Sequence, residues 1–457
     1  MSDNANSTLK PKREQWGGRL GFVLATAGSA VGLGNIMKFP YMTGQNGGAA
    51  FVFVYIIVNF VIGAAMLLCD FLIGRNGKAN AVESYRKICK RFTWMGYLGM
   101  FGAVLALSYY AVFGGWMLYY MFTSFTTLAQ IDPSGVGNFF GGFISATWQP
   151  IVFQIIFLIL TMVIVMGGIK KGIEKANKIM MPALIVILLI LIVRVLTLPG
   201  AAEGIKFYLK PDFSLITPAV FAAAVGQVFF SLNVGTTGMV VYGSYLSEKE
   251  NVPKSTAMIV MTDFSVAFLA GLIVIPSAFA FGIEPTSGVS LLFITMPSLF
   301  QQMPLGSVLC FLFFVLLLFA SLTSSISILE ICVPYLTESS HEKISRKKAS
   351  IIVTIVCFVF GVPVSLGFGA WSNVTIFGLG FFDLYDKFIC IIAYPLIAMC
   401  TAIMVGWVWK KDKALDAVSN HHTLKNNKLY NTWFFIVKYI APEILFIVVL
   451  IGLGIIK

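Results

Sequence analysis

The chain alternates long apolar runs with short polar stretches. A helix needs about 20 mostly apolar residues to cross a bilayer, and eleven runs meet that length, at 19–40, 47–73, 95–127, 148–167, 177–198, 216–246, 255–282, 305–336, 348–366, 380–409 and 431–456. Two of them are interrupted. The first carries Gly28-Ser29-Ala30-Val31-Gly32-Leu33-Gly34-Asn35 and then Lys38; the sixth carries Ser231-Leu232-Asn233-Val234-Gly235-Thr236-Thr237-Gly238. Glycine weakens a helix, and hydrocarbon does not accept Asn or Lys without partners. Gly28-x-x-x-Gly32 alone would also serve as a helix-packing face. Broken backbone at membrane depth, however, is tolerated only where protein encloses it or it lines a cavity. A second interruption of the same kind therefore predicts a binding site.

Runs one to five and six to ten each begin with an interrupted segment. Five is odd, so the second set must insert with the opposite orientation. Paired breaks in inverted halves point to a secondary transporter with its site at the midplane. The predicted fold is an all-α polytopic membrane protein with a 5+5 inverted repeat, discontinuous helices 1 and 6, and one further C-terminal helix. The expected divisions are a cytoplasmic N-terminal segment (1–18), a first repeat (19–200), a second repeat (201–409), and a cytoplasmic loop with span 11 (410–457). The apolar stretch 284–304, broken by Glu284-Pro285, Met296-Pro297 and Met303-Pro304, reads as a helical hairpin over the outer mouth.

Composition supports this picture: 58% of the 457 residues are hydrophobic and 11% charged, which excludes a soluble globular protein. The net charge of +12 does not indicate nucleic acid. With the N-terminus inside, 25 of the 32 Lys and Arg fall in inner segments and 4 in outer ones. That asymmetry sets orientation in the cytoplasmic membrane, N-terminus inside and C-terminus outside. The first run is longer than a signal-peptide core and no cleavage site follows it, so it is expected to remain in the mature chain. The seven cysteines lack metal-type spacing and predict no disulfide framework. His421 and His422 read as part of a solvated loop, and no nucleophile, histidine and carboxylate set shares one depth, so no enzyme is expected.

Ala27-Gly28-Ser29-Ala30-Val31-Gly32-Leu33-Gly34-Asn35-x-x-Lys38-Phe39-Pro40, Gly226-Gln227-Val228-Phe229-Phe230-Ser231-Leu232 and Leu322-Thr323-Ser324-Ser325 resemble the signature segments of the neurotransmitter:sodium symporters, in particular their bacterial amino-acid branch with eleven spans and a leucine-transporter-like fold. The likeness runs from about Arg13 to Asp386. It implies two sodium ions. For the first it implies a shell of the Ala30 carbonyl, Asn35, Ser231, Asp263 and the substrate carboxylate; for the second, the carbonyls of Gly28, Val31 and Ala320 with the hydroxyls of Thr323 and Ser324. A hard cation prefers such oxygen ligands. Asp263 stands where the family more often has Asn, and Ala267 where animal members bind chloride through Ser, so chloride is expected to be dispensable.

The implied substrate pocket comprises Ala30, Leu33, Gly34, Ala106, Tyr110, Phe230, Ser231, Asn233, Thr236, Ser324 and Ile328. Its carboxylate end lies at the N–H groups near Leu33 and Gly34 and the Tyr110 hydroxyl. Gly32 replaces the aspartate of monoamine carriers, so the ligand must bring its own carboxylate. Ala106 and Thr236 replace larger residues of leucine-type pockets, and Asn233 adds a polar group that could reach a phenol or indole. Large hydrophobic L-amino acids, aromatic ones included, are the expected substrates. The implied outer gate is Lys38 facing Asp386, with Phe230 as a lid over Tyr110. The implied inner latch is Arg13 and Trp16 with Glu338 and Tyr245. Between Gly172 and Pro182, span 5 is expected to unwind. The function this implies is sodium-coupled amino-acid symport by alternating access; a gated channel or sensor on the same fold is the alternative.

Overall fold

The computed structural model describes residues 13–282, 288–341 and 343–455, and among these every regular element is a helix. The expectations for residues 1–12, Glu284-Pro285 and Lys457 lie outside the described residues. Among the described residues nine helices are long and apolar enough to cross a membrane: Ala49–Gly77, Lys90–Thr123, Gln149–Met166, Ile169–Leu196, Val252–Ala280, Gly306–Ser339, Arg346–Gly367, Phe381–Val408 and Asn427–Gly452. A bent pair, Arg19–Ala30 and Gly34–Gln45, meets at 54° and makes span 1. Two shorter helices, Pro218–Ser231 and Gly238–Ser244, make span 6. Together these account for eleven spans. The face carrying Arg13 is called inner below.

The helix starts follow from local sequence. Thr217 accepts a hydrogen bond from Val220 N at 3.3 Å ahead of Pro218, and Asn251 and Ser345 cap spans 7 and 9 in the same way. The breaks are equally local. Span 1 stops at Ala30 because Val31 turns to extended backbone, and helix resumes at Gly34 through a wide π turn to Lys38. In span 6, Asn233, Gly235 and Thr237 all take left-handed φ (54°, 81° and 66°), which ends one half-helix and starts the next. A side chain on Gly235 would run into the Tyr394 carbonyl, so this turn also lets span 10 approach closely.

Span 3 packs against spans 4, 8 and 9, while span 2 packs on the inner half of span 6 and span 1 on span 7. The apolar stretch near residue 290 is one helix, Gly288–Gln301, and not a hairpin. Phe293 on this helix is buried between Trp116 and Phe140, at ring distances of 5.6 and 5.3 Å, and the helix packs on span 8. Span 5 starts ahead of the apolar run at 177–198, with Ile169–Glu174 in a wide π turn that leads into the α-helix Lys175–Leu196.

Candidate ion and substrate site

The two breaks face each other. Asn35, restarting the helix of span 1, donates from Nδ2 to Asp263 Oδ1 at 2.8 Å and to its carbonyl at 3.1 Å, while its own Oδ1 accepts from Gly32 N at 3.1 Å. Ser231, the last residue of the outer half-helix of span 6, donates to both oxygens of Asp263 at 2.8 and 3.1 Å. All three residues are buried. Asp263 thus joins spans 1, 6 and 7 at one point, with Tyr55 of span 2 at 3.5 Å.

A second oxygen-rich point lies one turn inward along span 1. Thr323 Oγ1 donates to Ala320 O at 2.9 Å and lies 3.4 Å from Val31 O, so it bonds both back to its own helix and across to the break. Ser324 Oγ donates across to Ser29 O at 3.1 Å. The side-chain nitrogens at these two points are amides: Asn35 at the first, and at the second Asn233, which donates to Ser29 O at 2.6 Å. Carbonyls, hydroxyls and one carboxylate suit a hard monovalent cation.

Between them a cavity of about 370 Å³ reaches from Ser29 and Ser324 past Phe230 to Lys38, Met42 and Asp386. Tyr110 OH accepts from Leu33 N at 3.1 Å. A methyl group on Gly32 would stand 2.5 Å from Ser324 Oγ and 2.8 Å from Tyr110 OH, so only glycine leaves this corner open. Ala30, Gly34, Ala106, Phe230, Asn233, Thr236, Ser324 and Ile328 line the same cavity. The Asn233 amide is already engaged, donating to Ser29 O at 2.6 Å, and Thr236 Oγ1 donates to Asn233 O at 2.8 Å. Asn233 therefore ties the two breaks together through its amide nitrogen while its side chain also lines the cavity.

The two charged residues at the outer gate are not in direct contact. Lys38 and Asp386 both face the cavity but form no ion pair. The Lys38 ammonium sits 4.0 Å above the Phe230 ring, and Asp386 accepts from Tyr109 OH at 3.3 Å. Phe230 packs on Gly34 and lines the cavity with Tyr110, whose ring neighbour is Tyr109 at 6.4 Å. A compact ammonium satisfied by an aromatic face has no geometric need for the carboxylate.

The inner side is closed. Arg13 pairs with Glu338, donates to Ser244 Oγ at 2.7 Å, and lies 4.6 Å over the Tyr245 ring. Trp16 Nε1 donates to Tyr242 O at 3.1 Å. Behind this latch lies a contact the sequence did not reveal. Tyr245 OH donates to Glu330 at 2.7 Å, and Glu330, wholly buried, pairs with Arg346. Span 5 is helical from Ile169 to Leu196, so the expected unwinding between Gly172 and Pro182 is not present in this conformation. Gln227 was also missed as a contact: its Nε2 holds the Gly34 carbonyl at 2.7 Å, beside the break. It stands in a motif segment, but nothing in its spacing pointed to a backbone carbonyl.

The sequence model described as "Sodium:neurotransmitter symporter family" matches residues 13–132 and 145–457. An uncharacterized sodium-dependent transporter of Bacillus subtilis is 38% identical over 449 residues, covering 98% of this chain and 99% of its own. A sodium- and chloride-dependent taurine transporter of Bos taurus is 28% identical, covering 90% of this chain and 74% of its own. Among solved structures, MhsT in complex with L-phenylalanine superposes with a TM-score of 0.88 at 40% identity, covering 96% of this chain and 100% of that one.

Proposed function

The chain belongs to the sodium:neurotransmitter symporter family, a family of membrane transporters and not of enzymes, and from that premise we propose that it carries large hydrophobic L-amino acids, aromatic ones included, together with two sodium ions and without chloride. The observation that carries this reading is the corner at Gly32. The Leu33 N–H and Tyr110 hydroxyl meet there beside a glycine at 32 that carries no acid of its own, and Asn35, Ser231 and Asp263 adjoin. A ligand carboxylate placed there would accept from the Tyr110 hydroxyl, and from the Leu33 N–H once it displaced the bond between the two, and help coordinate a cation at its other end. Substrate and first sodium would then each raise the affinity for the other by the same factor. The second ion would sit among Val31, Ala320, Thr323, Ser324 and Gly28.

Size follows from the wall. Ala106 and Thr236 leave space in a cavity of about 370 Å³, within the range of small-molecule sites. MhsT, whose chain matches along almost its whole length, holds L-phenylalanine in its structure. Chloride independence rests on Asp263, a fixed negative charge bonded to Ser231 and close to Tyr55, with a buried alanine at 267. An extra anion beside that carboxylate would be repelled.

The test is uptake into proteoliposomes against a concentration gradient. A symporter concentrates tyrosine, tryptophan, phenylalanine or leucine only with sodium, and does so with gluconate replacing chloride. Uptake that merely equilibrates assigns a channel, and sodium-independent binding removes the coupling scheme. Glycine or alanine displacing tracer better than the large amino acids overturns the substrate class, and stalling in gluconate overturns the role of Asp263.

A further inference from the structure

Lys438 lies inside span 11 (Asn427–Gly452), five residues past Trp433, where the apolar part of that helix begins. A cation at that depth is costly unless it reaches the headgroups or is given a partner. Here its position is fixed by aromatic faces. The ammonium sits 4.6 Å over the Trp407 ring of span 10 and 5.2 Å over the Tyr439 ring. Those two rings meet edge to face at 5.8 Å, and Phe435 extends the row at 5.3 Å from Tyr439. Trp407 is 61% exposed, and Phe435 and Tyr439 are exposed as well, so the row faces outward, where the membrane lies.

Two local irregularities build this notch. Span 10 ends in a wide π turn, Met404–Val408, and span 11 carries another, Ile436–Ile440. A wider turn leaves a carbonyl outside the regular ladder, and Lys438 O accepts from Trp407 Nε1 at 3.1 Å. Gly406 lets the two helices close in: a methyl group there would stand 2.7 Å from Lys438 Cα and 3.3 Å from its Cγ, so the lysine stem lies along span 10. Arg75 marks this end as the inner one, since it bonds Ala417 O after span 10 and Glu250 O beside Arg19 of span 1. Tryptophan belongs at headgroup level, and Lys410 and Lys411, both exposed, follow Trp407 within four residues. The nearby acids, Asp412 and Glu443, form no ion pair with Lys438 among the described residues. The corner is therefore cationic, aromatic-walled and open to lipid.

We infer that the notch between spans 10 and 11 binds the phosphate of an anionic glycerophospholipid of the inner leaflet, with Lys438 as its cation, Trp407 and Tyr439 holding that cation, and Phe435 against the upper acyl chain. An ammonium has three donors, and a ring face covers one side of it, so N–H groups remain for an anion. Anionic headgroups at the cytoplasmic surface are drawn to basic residues at this level, whereas a zwitterionic headgroup brings an ammonium of its own. The walls are apolar and turned to hydrocarbon, which fits a lipid and not a free phosphate ion. The site lies apart from the ion and substrate cavity and does not depend on either ligand.

The test uses the full-length protein in nanodiscs of equal parts phosphatidylcholine and phosphatidylglycerol. A trace of either lipid carries a photoactivatable group at the top of one acyl chain, and labelled peptides are mapped. The phosphatidylglycerol probe should label residues 404–410 and 433–441 roughly fivefold more than the phosphatidylcholine probe. Lys438→Gln should remove that preference, Lys438→Arg should keep it, and Trp407→Leu should lower it roughly twofold, because the cation loses one of its faces. Lys347→Gln, at the start of span 9, should change nothing. Equal labelling by the two probes would mean an ordinary lipid contact and overturns the site, as does a preference that survives Lys438→Gln. Suppression of labelling by excess glycerol phosphate would assign a soluble anion instead. Paired chains that separate in Trp407→Leu, seen by mass photometry, would give this face to a second copy, and either result overturns the lipid assignment.

Discussion

The inner and outer sides of this transporter are closed by different chemistry. On the inner side three cation–acid pairs form, two of them at Tyr245: Arg13 with Glu338, Arg346 with Glu330, and Lys178 with Glu174 beneath span 1. On the outer side the corresponding charges, Lys38 and Asp386, turn to aromatic partners and leave the cavity continuous between them. Alternating access requires each side to open in turn. A side closed by several buried bonds opens only when something else is gained, whereas a side held by one cation on one ring opens readily. The asymmetry fits a resting conformation in which the inner side is shut and the cavity is reached from the outer side.

The largest effect expected from breaking this asymmetry is at Glu330. Replacing it with alanine leaves Arg346 buried without its acid and frees the Tyr245 hydroxyl; removal of one partner of a buried pair costs about 3–5 kcal/mol. Thermal unfolding in detergent should show a large loss. The double variant Glu330→Leu with Arg346→Met should recover most of it, since two apolar residues of similar volume substitute well for a buried pair. A single variant as stable as the parent would mean that the pair does not hold the inner side.

Arg13→Ala comes next. It removes a partly exposed ion pair, the bonds to Ser244 and the contact over Tyr245, together worth roughly 1–2 kcal/mol. Weakening one side shifts the equilibrium toward the inward-open form, and each 1.4 kcal/mol is about tenfold in population. Sodium should therefore support substrate binding only at concentrations roughly five- to tenfold higher, with little change in unfolding temperature. An unaltered sodium dependence would place the control of the inner side elsewhere.

Much of this was legible in the sequence for a physical reason. Hydrocarbon forbids unsatisfied backbone, so the breaks at 28–35 and 231–238 had to mark enclosed sites, and the positions of Asn35, Ser231, Tyr110 and Thr323 around them came with the motifs. What was not legible depends on distances across the fold. The Glu330–Arg346 pair joins residues on adjacent spans with no motif to announce it. Asn233 could not be assigned to Ser29 until the left-handed turn at 233–237 was seen. The helix at Gly288–Gln301 was misread because apolar residues bounded by prolines fit one helix or two. Span 5 was expected to be unwound because glycine and proline permit unwinding, but permission is not occupancy, and in this conformation the helix persists.

The smallest expected effect sharpens the outer side. Lys38 lies above the Phe230 ring and makes no ion pair with Asp386, although both face one cavity. Lys38→Arg keeps the charge and supplies a planar fork that can stack on Phe230 and present two donors to a carboxylate at once. A partly exposed pair of that kind adds about 0.5–1 kcal/mol, less where solvent screens it. The outer side should then open less readily, so tracer amino acid should both enter and leave the sodium-loaded protein more slowly, by roughly two- to fourfold. Equilibrium affinity should barely change, because the gate slows both directions. Adding Asp386→Asn should abolish the slowing if the new arginine acts through that carboxylate. Slowing that survives Asp386→Asn would place the effect in the Phe230 contact instead, and faster exchange in Lys38→Arg would show that the lysine, as it stands, already restrains the outer side more firmly than its single aromatic contact suggests.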